Sequence, residues 1–283
     1  MTKIEIIAGD GYRLAACTYE ARGPHRGTVL IVPAMAVSQE HYAPFSSWLA
    51  ECGWQVVTFD CRGIGASAPA SLRGFEADIL TWAGLDCAAA LARARGLAFG
   101  RRLIWIGHSL GGQILGMTPG NETVSAAVTV ASGVGYWREN AYPLRRYSWW
   151  LWHVIAPLAT AAAGYFPGKR LRIIGDLPRG VMEQWSRWCR HPEYAVGVEG
   201  EAMRERFRKL RLPLLSLSFT DDEYMSASNV AVLHGLYENT KREMRRLSPR
   251  DIGAARIGHF GFFRNEPGRR LWPQTLDWIN AVS

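Results

Sequence analysis

The chain has 283 residues, 48% of them apolar, 11% aromatic and 20% charged, a mixture that can bury a large core and that excludes extended disorder, a collagen-like repeat and a coiled coil. The formal charge is +8, but the stretch from Trp137 to Arg211 alone holds fourteen basic and seven acidic residues, so the excess is local and no nucleic-acid partner is expected. Five cysteines without a Cys-x-x-Cys pair predict neither a disulfide framework nor a zinc site, and charges at Lys3 and Glu5 interrupt the first apolar run where a secretory signal would need none, so a cytoplasmic protein is expected.

Lys3 to Ile7 and Tyr12 to Tyr19 flank a Gly9-Asp10-Gly11 turn and predict an antiparallel hairpin at a sheet edge. Gly27 to Val32 is a short continuous apolar run, as in a strand buried on both faces, and Tyr42 to Cys52 has helical apolar spacing ended by Gly53. Trp54 to Phe59 predicts a further buried strand. Asp78 to Ala94, rich in Ala and Leu, predicts a helix stopped at Gly96, and Leu103 to Ile106 predicts the next strand, with a helix following Ser109. Val124 to Val130, Leu212 to Phe219 and Arg242 to Leu247 bring the strands to eight, and Leu271 to Val282 reads as a closing amphipathic helix.

This alternation implies right-handed crossovers and a mostly parallel eight-stranded α/β sheet with helices on both faces, whose strand carboxyl ends gather functional groups. The segment 135–210 breaks the alternation. It is expected as a helical lid inserted after the sixth strand, with 1–134 and 211–283 forming one core domain.

Gly107-His108-Ser109-Leu110-Gly111 lies between a predicted strand and a predicted helix. A Gly-x-Ser-x-Gly turn there forces the serine into a strained conformation with its hydroxyl presented, and the glycines remove side chains that would collide with neighbouring backbone. A serine nucleophile needs a base and an orienting acid, which in this arrangement follow in the order Ser, Asp or Glu, His. His259 sits in a short Gly-rich loop ahead of the last helix and is the expected base; His234, inside a predicted helix, is its competitor and reads better as a packed or surface residue. Asp221-Asp222-Glu223 follows the seventh strand. Asp222 is the preferred acid, with Asp221 the alternative and otherwise a solvated loop or helix-cap carboxylate.

Asp60-Cys61-Arg62-Gly63-Ile64-Gly65-Ala66-Ser67 after a strand, the Gly-His-Ser-Leu-Gly-Gly elbow, Asp222 and Gly258-His259 together resemble the α/β-hydrolase superfamily over nearly the whole chain. Ile257 to Arg264, Gly164 to Lys169 and Asp176 to Val181 are similar to a group of bacterial serine hydrolases with a Trp-rich lid. The resemblance implies an oxyanion hole from the N–H of Leu110 and one from the loop after the third strand, by alignment Met35, with Ala34 the alternative. It also implies that no cofactor and no metal are needed. Arg62-Gly63-Ile64-Gly65 lacks the third glycine of a dinucleotide loop, and its arginine reads as a structural tie.

Between Arg146 and Lys169 run twenty-two residues without formal charge, interrupted by Pro157, Gly164 and Pro167, which argues against a membrane span. Six of the twelve tryptophans fall between Trp137 and Trp188. Part of this surface is expected to line an apolar acyl pocket, with Ala34, His108, Trp137 and Trp149 touching substrate. Arg145, Arg146 and Arg170 would favour an anionic substrate or a lipid headgroup, which leaves peripheral membrane contact open. The expected function is ester-type acyl hydrolysis of a largely apolar small molecule through an acyl-enzyme; acyl transfer with the same groups, or a non-catalytic binder on this fold, are the alternatives. Oligomeric state and substrate identity are not legible.

Overall fold

Eight short runs become one sheet: β1 (Thr2–Ile7), β2 (Arg13–Tyr19), β3 (Gly27–Val32), β4 (Gln55–Phe59), β5 (Arg102–His108), β6 (Ala126–Val130), β7 (Pro213–Phe219) and β8 (Lys241–Leu247). In the computed structural model, which describes residues 1–282, they lie in the order β1-β2-β4-β3-β5-β6-β7-β8. β1 and β2 form the antiparallel edge, β2 pairs antiparallel with β4, and every other neighbour is parallel.

The central strands are buried on both faces because their side chains alternate between two apolar layers. In β3, Leu30 and Val32 face the layer that holds Leu91 and Ala94, whereas Val29 and Ile31 face the layer that holds Phe45, Leu49 and Trp272. Each such fully buried aliphatic side chain contributes about 1.5–3 kcal/mol, so the two layers fix the register of the strands. β8 closes the far edge with exposed Lys241, Arg242 and Arg246, charges that discourage pairing with another chain.

Two helical expectations need correction. The helix beginning beyond Asp78, whose carboxylate caps the Thr81 N–H at 2.7 Å, passes through Gly96 and ends at Ala98. Packing of Leu91, Ala94 and Ala98 outweighs the roughly 1 kcal/mol helix penalty of one glycine, and Phe99, with φ 50°, supplies the left-handed stop. The helix after Ser109 is only one turn, Leu110–Gln113, followed by a 3-10 turn at Leu115–Met117. Gly116 lies so close to the Phe207 ring that a Cβ there would sit 2.7 Å from it, and Pro119 prevents continuation.

Residues between β6 and β7 are helical over most of 137–209. Leu144–Trp150, Leu151–Ile155 and Ala156–Ala163 run on as one helix whose middle takes the wider π turn. Gly164, at φ 80°, ends it. Arg179–Cys189, Tyr194–Glu199 and Glu201–Lys209 follow. Directional bonds tie this segment to the sheet layers: Gln184 Oε1 accepts the N–H groups of Ile79 and Leu80 at 2.7 and 3.1 Å, and the Tyr194 hydroxyl donates to Gln113 Oε1 at 2.8 Å. Among the described residues no helix is long and apolar enough to cross a membrane.

Candidate active site

Ser109 follows β5 with φ 50° and ψ −109°, a left-handed conformation that costs a non-glycine residue free energy and is held by its surroundings. Glycines make the turn possible through close approach. A Cβ on Gly107 would lie 2.4 Å from the Gly111 backbone, and one on Gly111 would lie 2.2 Å from the Val32 carbonyl oxygen. The Ser109 N–H donates to the Val130 carbonyl at 2.9 Å, which pins the turn to β6.

His259 and Asp222 meet at the ends of distant segments. His259 Nδ1 is 2.9 and 3.0 Å from the two Asp222 carboxylate oxygens, and both side chains are almost fully buried. A carboxylate only accepts, so the proton resides on Nδ1 and Nε2 is left with its lone pair, the form required of a base. Asp222 Oδ1 also accepts the N–H groups of Tyr224 and Met225 at 2.8 and 2.9 Å, which fixes its rotamer.

The neighbouring acids grip the same loop. Asp221 Oδ2 accepts from the Ile257 and Gly258 N–H groups at 2.8 and 3.1 Å, and Glu223 Oε2 accepts from the His259 N–H at 3.1 Å while pairing with Arg256 at 3.2 Å. The expectation of a solvated or helix-capping Asp221 is therefore corrected: it holds the histidine loop. Gly258, at φ 63°, lets that loop turn against the three acids.

A second chain of bonds runs beneath the serine. The Ala34 N–H donates to the Tyr42 hydroxyl at 2.8 Å, Tyr42 lies 3.0 Å from His108 Nδ1, and His108 Nε2 lies 3.0 Å from the His259 carbonyl oxygen. Since that carbonyl can only accept, His108 carries its proton on Nε2, and the Tyr42 hydroxyl donates to Nδ1. Burial, reinforced by the nearby His259 and His41, holds His108 well below the ordinary histidine value, so it is neutral. His108 was expected at the substrate; it lies fully buried below the site instead, because the elbow turns its side chain away from the serine hydroxyl.

This chain also separates the two oxyanion candidates. The Ala34 N–H is already engaged, whereas the N–H groups of Met35 and Leu110 find no acceptor among the described residues. Ala34 is corrected as a substrate contact too, being absent from the cavity wall.

That cavity has a volume of about 80 Å³ and is walled by Ser109, Leu110, Met35, Trp152, Met182 and Trp185, among others, with Tyr224 at the His259 side. Tyr224 packs against His259 with the rings tilted at 60° and 4.9 Å between centroids. Trp137 and Trp149 are not on this wall: both pack against His153, at 5.9 and 5.1 Å, and Trp149 is exposed. Arg145, Arg146 and Arg170 are exposed and away from it. His234 is buried elsewhere, between Thr129 Oγ1 and the Val230 carbonyl, each at 2.7 Å, and burial pushes its imidazole down to about 4. Arg62 is a structural tie as read, its Nε 2.8 Å from Asp86 and its Nη2 3.0 Å from Asp10. Among the described residues no His, Cys, Asp and Glu group is arranged to hold a metal ion.

A mostly parallel eight-stranded sheet with a serine on a strained strand-to-helix turn defines the α/β-hydrolase fold. Residues 23–172 match the family described as serine aminopeptidase, S33, and the chain belongs to it, as a serine-dependent hydrolase. No curated protein matches the chain. Among solved structures it is similar to a soluble variant of monoglyceride lipase from Saccharomyces cerevisiae, at 16% identity over 100% of this chain and 97% of that one, TM-score 0.71. An esterase from Pyrococcus furiosus is similar at 15% identity over 99% and 91%, TM-score 0.64. An N-formylmaleamic acid deformylase from Pseudomonas putida is similar at 16% identity over 100% of both chains, TM-score 0.60. At these identities the likeness shows the shared fold.

Proposed function

We propose that the protein hydrolyses an ester-type acyl bond of a largely apolar small molecule through a covalent acyl-enzyme, with Ser109, His259 and Asp222 as the triad. The observation that carries this reading is the Asp222–His259 pair, 2.9 Å apart, with the His259 carbonyl bonded to His108, the residue preceding the strained serine. Ser109 Oγ attacks the carbonyl carbon as His259 Nε2 takes its proton, and Asp222 stabilises the imidazolium. The N–H groups of Leu110 and Met35 receive the oxyanion; one such donor is worth about 2.7–4 kcal/mol of transition-state stabilisation. His259 then returns the proton to the leaving group, and water, deprotonated by the same imidazole, releases the acid.

In this reading 1–134 and 211–283 are the catalytic core, and 135–210 is the lid whose apolar underside excludes water from the acyl-enzyme. Five free cysteines, four of them buried, support a reducing, cytoplasmic setting. Labelling with a fluorophosphonate probe tests the nucleophile. Wild type is expected to label and Ser109→Ala to stay blank with an unchanged circular dichroism spectrum; labelling of the variant at the wild-type level would refute the assignment.

One observation favours an additional contact. Tyr142, Tyr147, Trp150 and Leu158 are exposed on the lid, beside Arg145 and Arg146, an aromatic and cationic surface suited to the interface of an anionic membrane. Vesicles of phosphatidylglycerol are expected to co-sediment the protein at low salt and vesicles of phosphatidylcholine to leave it in solution. Equal recovery in the supernatant with both would remove this contact.

A further inference from the structure

We propose that the enzyme selects short, uncharged acyl groups and that Trp185 and Met182 set the upper limit of length. The inference rests on the acyl-enzyme reading above. Which half of the substrate enters the cavity follows from the proton's route. His259 must deliver its proton to the leaving group, so the leaving group lies on the histidine side. Ser109, Leu110 and Met35 are on the cavity wall, and on the histidine side it is Tyr224 rather than His259 that lines it, so the part that stays bonded to the carbonyl, the acyl chain, points into the cavity.

Size then limits that chain. A cavity of about 150 Å³ accommodates benzene, so one of about half that volume takes an acyl group of about two to four carbons. The observed volume is about 80 Å³. Its wall cannot yield easily on the Trp152 side, where Trp152 is buried and meets Trp185 edge to face at 4.8 Å between centroids. Trp185 and Met182 project from one face of the helix Arg179–Cys189, three residues apart, and that helix is anchored to the core by Gln184.

Charge is excluded by the same wall. No Asp, Glu, Lys, Arg or His lines the cavity among the described residues. Its polar groups are neutral: Gln113 donates to the Gly133 carbonyl at 2.6 Å and accepts from Tyr194, Asn140 Oδ1 accepts from Asn229 at 3.2 Å, and the buried Trp152 indole N–H has no partner among the described residues. A carboxylate carried in by the acyl chain would be desolvated with no cation to pair with, only neutral N–H donors. The basic residues of the segment therefore do not select the acyl group.

The test is a series of p-nitrophenyl esters from acetate to dodecanoate, with the anionic hemisuccinate beside butanoate, so that only the acyl part varies. For wild type, kcat/KM is expected to peak between acetate and butanoate and to fall about tenfold or more by octanoate, since one methylene too many for an apolar pocket is worth about 10-fold or more. The hemisuccinate is expected about tenfold below butanoate. Trp185→Ala should shift the peak toward longer chains, and Met182→Ala does the same by a smaller step if the first variant does not fold. A wild-type peak at octanoate or beyond, lost in Ser109→Ala, would overturn the length limit while leaving the hydrolase intact; a hemisuccinate turned over as fast as butanoate would overturn the charge limit. Absence of any Ser109-dependent ester turnover would remove the acyl-enzyme reading and this inference with it.

Discussion

The loops at the strand ends and the helical segment 137–209 build the same site by opposite means. At the loops, directional bonds fix individual atoms: the three acids 221–223 accept five backbone N–H groups on two short stretches as well as the His259 Nδ1–H, and Tyr42 and His108 link the loop after β3 to the histidine loop. In the segment, Trp152, Trp185, Met182 and Phe166 shape a cavity by packing, and Tyr142, Tyr147, Trp149 and Trp150 are exposed on its outer surface. Bonds of the first kind hold a reacting group within a fraction of an ångström, whereas packing sets volume. Variants in the loops should therefore lower kcat, and variants in the segment should change which acyl group is preferred.

The largest loss is expected for Asp222→Asn. Oδ1 of the substituted side chain would keep its two backbone N–H partners, Tyr224 and Met225. Its NH₂ would then face His259 Nδ1 and force the proton onto Nε2, the wrong tautomer for a base. A fall in kcat of about 10⁴-fold with folding intact is expected. Retention of more than a tenth of the wild-type kcat would show that the acid lies elsewhere.

His108→Leu comes next. It leaves the Tyr42 hydroxyl and the His259 carbonyl without their shared partner, and a shift of about 1 Å in a catalytic group costs about 10²-fold in rate. Tyr42→Phe removes only the hydroxyl and frees the Ala34 N–H, so its effect on kcat should be the lesser of the two. Chain-length preference should be unchanged in both variants. If either one altered that preference more than kcat, the division between loops and segment would not hold.

The central strands β3 to β7 are legible because both-face burial leaves short apolar runs, and the Asp222–His259 contact is legible because chain order and loop position restrict the choices. Tyr42 and the roles of Asp221 and Glu223 are not. Tyr42 meets His108 across 66 residues, and no local pattern marks such a contact. The tryptophans were misassigned for a geometric reason. Trp149, Trp150 and Trp152 lie within one turn, and the wider π turn over Leu151–Ile155 changes which of them faces inward, so a 3.6-residue period cannot choose among them. The stop at Gly96 failed because tertiary packing overrides the propensity of a single residue.

A third expected effect concerns pH and lies outside both regions. Burial lowers the folded His234 value from 6.5 to about 4. The unfolded chain binds that proton more readily, so the stability that neutral His234 carries is present above about pH 6.5 and is lost as pH falls toward 4. Between pH 7 and 5 the loss from this one group is about 2 kcal/mol. Urea unfolding at the two pH values should show a drop for wild type, to which His108 adds in the same direction and the buried carboxyls of Asp60 and Asp86, pushed up by burial, run opposite. His234→Gln should shrink the drop by about that amount; an equal drop in both proteins would mean that His234 is not the group responsible.

The smallest effects separate Asp221 from Glu223. Asp221→Asn keeps an oxygen for the Ile257 and Gly258 N–H groups but loses the charge, and hydrogen bonds to charged groups contribute about 1.5–3 kcal/mol against about 1 for neutral ones. Glu223→Gln likewise keeps an acceptor for the His259 N–H, but it also releases Arg256, whose side chain is well exposed, so the ion pair itself contributes little. Both variants should therefore cost less than about tenfold in kcat, Asp221→Asn more than Glu223→Gln, with KM for a short ester unchanged. Removing the acceptor altogether, as in Asp221→Ala, should deepen the loss, because two backbone donors of the histidine loop are then unpaired at once. If Asp221→Ala and Glu223→Gln were equal and silent in kcat, the loop would be held by packing, as in the helical segment, and the contrast between the two regions would disappear.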